Sequence, residues 1–74
     1  MNFGNKHIKI KVYANDHPPP HCHLIRTDGS VTRVALPTLL ILTGLELSRS
    51  EKEMILEKID KICAEYEKLN PNNH

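Results

Sequence analysis

The chain has 74 residues, ten Lys and Arg against nine Asp and Glu, and three aromatic side chains, Phe3, Tyr13 and Tyr66. One domain fits this length, with a core that is only marginally stabilising alone, so aliphatic residues must supply most of it and dimerisation would add to it. A near-neutral balance excludes a strongly basic nucleic-acid binder, two cysteines (Cys22 and Cys63) are too few for a disulfide scaffold, and no apolar run is long enough to cross a bilayer.

The charge is unevenly divided. Residues 1–37 hold five cations against two acids, a net of +3, and residues 38–74 hold five against seven, a net of −2. Four of the five histidines lie in the basic half, which permits an anionic partner there. The expected organisation is a single domain over residues 1–74, with 1–5 and 71–74 frayed. The sequence shows no cleavable signal, so free thiols in the cytoplasm are expected.

Residues 6–14 alternate, with Ile8, Ile10, Val12 and Ala14 on one side and His7, Lys9, Lys11 and Tyr13 on the other. That period of two predicts a half-buried strand. The run Asn15-Asp16-His17-Pro18-Pro19-Pro20-His21-Cys22-His23 follows. Its prolines fix φ and lack a donor, so they form a stiff turn that is neither helix nor central strand. Residues 21–27 and 31–36 read as the second and third strands, joined at Asp28-Gly29, a strong hairpin signal.

The register decides which face the histidines occupy. A two-residue Asp28-Gly29 turn pairs Ile25 with Thr32 and sets His21 and His23 beside Val34 and Leu36. A three-residue loop, Asp28-Gly29-Ser30, pairs Leu24 with Val34 and Cys22 with Leu36. The histidines then face out, because a slip of one residue exchanges the faces. The second register is favoured, since it buries Cys22, Leu24, Val34 and Leu36 together. Pro37 ends the third strand or moves it to an edge. Thr38 to Leu42 predicts a short fourth strand stopped by Gly44, and its run Leu39-Leu40-Ile41-Leu42 suits burial.

A helix closes the chain. Ser48 with Glu51 and Ser50 with Glu53 are two candidate capping boxes. Ile55, Ile59, Ile62, Tyr66 and Leu69 recur at helical spacing, widened by Leu56 and Cys63, and Asn70-Pro71 stops the helix. Ile59 and Ile62 are expected to be fully buried. The predicted fold is α+β: a small antiparallel sheet of three or four strands packed against one C-terminal helix.

There is no glycine-rich phosphate loop, serine nucleophile motif or H-E-x-x-H. What remains is the histidine cluster. His21 and His23, at i and i+2 on a strand, project to one face. With His17 and Asp16 returned by the prolines, they form a candidate site for zinc or another transition metal. The plainer reading has the imidazoles and Asp16 hydrogen-bonding the turn. Without metal, His17, His21 and His23 are candidate acid–base groups for RNA cleavage, with Lys9, Lys11, Arg26 or Arg33 stabilising developing charge. Without chemistry, Lys9, Lys11 and Tyr13 on one strand face suit single-stranded RNA, or a partner protein paired to the sheet.

The run N-D-H-P-P-P-H-x-H resembles the signature of a family of short bacterial proteins, the domain of unknown function four thousand one hundred and sixty. The strand ending in Tyr13, then Asp28-Gly29-Ser30, Leu36-Pro37, Leu42-Thr43-Gly44 and a long helix carrying Tyr66 are similar to one branch of it. Cys22 stands where the family often has phenylalanine. No activity comes with the resemblance. It implies a partner, since members often occur beside small genes in arrangements that look like toxin–antitoxin operons. The expected function is thus a bacterial cytosolic interaction module, one component of a toxin–antitoxin-like pair, as a homodimer or bound to the neighbouring gene's product. The alternative is a histidine-based hydrolase or nuclease, with or without metal.

Overall fold

The computed structural model describes residues 3–14 and 19–71. In chain order it contains β1 (Ile8–Lys11), β2 (His21–Arg26), β3 (Val31–Ala35), β4 (Ile41–Thr43), α1 (Arg49–Glu57) and α2 (Ile59–Leu69). The strands form one antiparallel sheet in the order β1-β2-β3-β4, and the helices follow it, an α+β fold.

Alternation along the strands builds the inner face. Ile10, Cys22, Leu24 and Val34 project to one side and are buried against Ile55, Ile62 and Tyr66 of the helices. The hairpin register follows from its loop. Arg26 N–H donates to Ser30 O at 2.9 Å and Gly29 N–H to Arg26 O at 3.0 Å, so the loop is Thr27-Asp28-Gly29. Gly29 has φ +90, the left-handed position such a three-residue loop requires. Cys22 therefore pairs with Val34 and Leu24 with Thr32. This shifts the expected pairing by two residues. An even shift preserves the faces, so Cys22, Leu24 and Val34 lie inside as expected.

Residues 3–5, within the segment expected to fray, are hydrogen-bonded to β1. Phe3 N–H donates to Ile10 O at 2.9 Å and Asn5 N–H to Ile8 O at 2.8 Å, and the Phe3 ring is buried. This segment covers the free edge of β1. At the opposite edge, β4 is shorter than expected, and its apolar run is not buried. Leu40, Ile41 and Leu42 are 65, 37 and 40 % exposed, and Leu45 beyond them is 64 % exposed. The run enters an edge strand after a turn with Leu39 at φ 64, and only Leu39 of it packs against the core. Gly44, at φ +96, ends the strand where a Cβ would collide with the Val31 carbonyl.

The single expected helix is two. Lys58, at φ −118 and ψ 17, leaves helical geometry, and its N–H donates to Ile55 O at 3.1 Å. Leu56 before the break is exposed, and after it Ile59 is only half-buried while Ile62 is fully buried. Of the two candidate capping boxes, Ser48 and Glu51 form the real one: Glu51 N–H donates to Ser48 Oγ at 3.2 Å, and Ser48 N–H to Glu51 Oε1 at 2.8 Å. At the other end, Asn70 Nδ2 donates to the carbonyls of Tyr66 (3.1 Å) and Tyr13 (2.8 Å), which ties the helix terminus to the end of the first strand.

Candidate binding surface

The helices cover one face of the sheet, and the other carries the candidate residues. The register sets two cross-strand rows on that outer face: Lys9–Ile25–Val31, and Lys11–His23–Arg33. Neighbouring strands lie about 4.8 Å apart, and successive outward residues on one strand about 7 Å apart. Among the described residues, no Asp or Glu occupies an outward position of β1, β2 or β3, and no carboxylate pairs with Lys9, Lys11 or Arg33.

Three rings continue this face toward the proline turn. The Tyr13 ring meets His23 edge-on at 4.8 Å and 77°, and His23 lies 5.1 Å from His21. Tyr13 is 43 % exposed, whereas His21 is only 4 % exposed. His21 also sits 6.2 Å from the buried ring of Tyr66, and its Nδ1 lies 2.8 Å from the Pro19 carbonyl. A carbonyl only accepts, so Nδ1 of His21 is the donor in this contact. His21 is thus held at the turn, between Pro19 and Tyr66. Of the three histidines expected to converge, His21 and His23 lie ring beside ring. Asp16 and His17 lie outside the described residues. Among the described residues, no group of three or more His, Cys, Asp or Glu is placed to hold a metal ion.

Arg26 does not join the other cations of the expected binding set. Strand alternation turns it to the helix side, with Cys22 and Leu24. There its Nε and Nη2 donate to Glu51 Oε2 and Oε1 at 2.8 and 3.1 Å, and its Nη1 donates to Thr32 Oγ1 at 2.9 Å. Thr32 Oγ1 in turn donates to Leu45 O at 2.8 Å. The guanidinium holds the Glu51 carboxyl below the ordinary carboxylate range, helped by the Ser48 N–H, and Glu51 raises Arg26. Glu51 so completes the helix cap and neutralises Arg26 at once. The capping role was legible in the Ser48-x-x-Glu51 spacing. The ion pair was not, because 25 residues separate its partners.

Cys22 lies under the sheet, where burial, and then the nearby Cys63, push its thiol up to about 12. Burial also raises the half-buried Cys63. Neither is placed as an activated nucleophile, which needs a lowered value.

A small antiparallel sheet with its helices on one side, and a basic face that no described helix covers, defines the class: a minimal α+β domain with no enclosed site among its described residues. Residues 8–68 match the model of the family described as Domain of unknown function (DUF4160), and the chain belongs to that family. No curated protein and no solved structure matches it. No described helix is long and apolar enough to cross a membrane.

Proposed function

We propose that this protein is a bacterial cytoplasmic interaction module, one component of a toxin–antitoxin-like pair, which acts by binding. The observation that carries this is the apolar edge. Leu40, Ile41, Leu42 and Leu45, in and around β4, are each more than a third exposed, in a chain with few apolar residues to spare. Contiguous exposed apolar side chains rimmed by polar residues mark contact surfaces. The other edge, along β1, is covered by the protein's own residues 3–5. A register shift at Arg33/Val34 bends the pairing of β4, a device that discourages indiscriminate edge pairing. The partner is therefore recognised through the leucine side chains as much as through the backbone. A second copy or the product of the neighbouring gene is the occupant.

The test is the solution mass of the protein, alone and with that product, by light scattering. A dimer or a stoichiometric complex is expected, and Leu40→Asp with Leu42→Asp should abolish it without lowering the melting temperature. A monomer at high concentration that ignores the neighbour's product would overturn the proposal.

The alternative, a histidine-based hydrolase or nuclease, has less support. A general base must reach its substrate, and His21 is both buried and engaged at Nδ1. Stoichiometric zinc, iron or nickel in protein purified without a polyhistidine tag would favour that alternative.

A further inference from the structure

The outer face poses a question that assembly through β4 does not answer. A soluble domain usually intersperses both signs on an exposed sheet face, because like charges set opposite each other destabilise it. Here the second row sets Lys11 and Arg33 on the strands either side of His23, two cations with no acid between them on those strands. Lys9 stands one outward position away, beside the apolar stems of Ile25 and Val31. A depression of about 290 Å³ extends the basic surface past Lys9 to Lys6, His7 and Thr27. Seven of the nine acids lie after residue 45, in α1 and α2 and the segment leading to them, on the far side of the sheet. The division of charge along the sequence thus becomes a division between two layers.

We propose that this helix-free face binds a single strand of nucleic acid. Lys9, Lys11 and Arg33 contact successive phosphates, and a base stacks on the exposed Tyr13 ring. Cations alone would suit any polyanion. The ring is what selects a nucleic acid: Tyr13 stands two residues beyond the end of β1, its ring edge-on against His23 and its backbone carbonyl held by Asn70 Nδ2. Aromatic rings on an open four-stranded sheet, flanked by cations, are a platform on which unpaired bases stack, whereas a duplex hides its base faces. The spacing fits as well, since Lys9 and Lys11 are about 7 Å apart, on the scale of one extended nucleotide. The Arg26 guanidinium is no part of this track, because Glu51 neutralises it on the other side.

The experiment is fluorescence anisotropy of a labelled oligouridylate titrated with the full chain at several salt concentrations. Three phosphate contacts predict that log K falls with log salt at a slope of about −2, from roughly −0.7 per phosphate on a single strand. Lys9→Gln with Lys11→Gln should reduce that slope by about 1.4. Lys9→Glu with Lys11→Glu should weaken binding at least about tenfold at low salt. Tyr13→Ala should weaken binding about five- to a hundredfold with the slope unchanged, and Tyr13→Phe should keep it. Lys61→Glu with Lys68→Glu, on the helix layer, should change nothing. Melting curves establish that each variant is folded. Absence of binding at low salt would overturn the proposal. So would equal binding of a duplex or of polyglutamate, the latter pointing to an acidic protein as the occupant. A β4 surface that fails to assemble would leave these results untouched, so the two proposals fail separately.

Discussion

The two faces of the sheet use basic residues in opposite ways. On the inner face, Arg26 has a carboxylate, a hydroxyl and the end of a helix arranged around it, and its side chain is 15 % exposed. On the outer face, Lys9, Lys11 and Arg33 stand in rows with no carboxylate partner among the described residues. The first arrangement spends charge on folding. The second leaves charge for something else to neutralise. The same contrast separates the two edges, one covered by residues 3–5 and the other presenting leucines to solvent. Binding surfaces in so small a domain are thus recognised by what the fold leaves unfinished.

Inner-face changes should be the most costly. Ile62→Ala removes a fully buried side chain where α2 packs on the sheet, at a cost on the order of 2–5 kcal/mol. That is enough to unfold a domain of this size under ordinary conditions. Ile59→Ala, at a half-buried position, should cost clearly less. Equal losses in thermal melts would mean that Ile59 and Ile62 do not differ in burial as described.

Glu51→Ala comes next, at about 3 kcal/mol, since it removes the cap and leaves Arg26 without its counter-charge. The pH dependence follows from the same contacts. Folding lowers the Glu51 carboxyl below its ordinary 4.5, first through the Arg26 hydrogen bond. Its stabilisation is therefore complete above that value and is lost as pH falls through the lowered value in the fold. Glu51→Gln should flatten the acid limb of the stability profile. An unchanged limb would place the relevant carboxylate elsewhere.

The paired histidines should separate. His21→Gln removes a buried ring whose Nδ1–H donates to Pro19 O and should cost about 1–3 kcal/mol. His23→Gln, at a half-buried position on the outer face, should cost less. Equal and negligible effects in urea titrations would return His21 to the list of purely functional groups.

Much of the fold was legible because it is local. Alternation marked β1 to β3, Asp28-Gly29 marked the hairpin, and Ser48-x-x-Glu51 marked the helix start. The pairing moved by two residues because Gly29, not Ser30, closes the loop, and the faces survived because two is even. The helix break was hidden by an apolar period that runs through Lys58 without interruption. The exposed leucines around β4 escape a sequence reading for the same reason that makes them informative: an apolar run suggests burial, and only the sheet order shows that this one lies at an edge. For the site, Lys9, Lys11 and Tyr13 were placed on one face by strand period alone. Arg33 joins them, and Arg26 leaves them, through pairings that no single strand reveals.

The smallest effect concerns the thiols. With its value near 12 and no exposure, Cys22 should resist alkylation in the native protein at mildly alkaline pH, while the half-buried Cys63 reacts slowly. Two equally fast thiols in a mass-spectrometric time course would contradict the packing of β2 beneath the helices.

The central claim is that the uncovered parts of the sheet are there to be covered by a partner. Its most direct test is the solution mass of the untagged protein over a wide concentration range, alone and mixed with the product of the neighbouring gene. The account predicts a dimer or a stoichiometric complex that disappears when Leu40 and Leu42 are both replaced by aspartate, with the melting temperature of the isolated chain preserved. A wild-type chain that stays monomeric throughout and ignores its neighbour would contradict it.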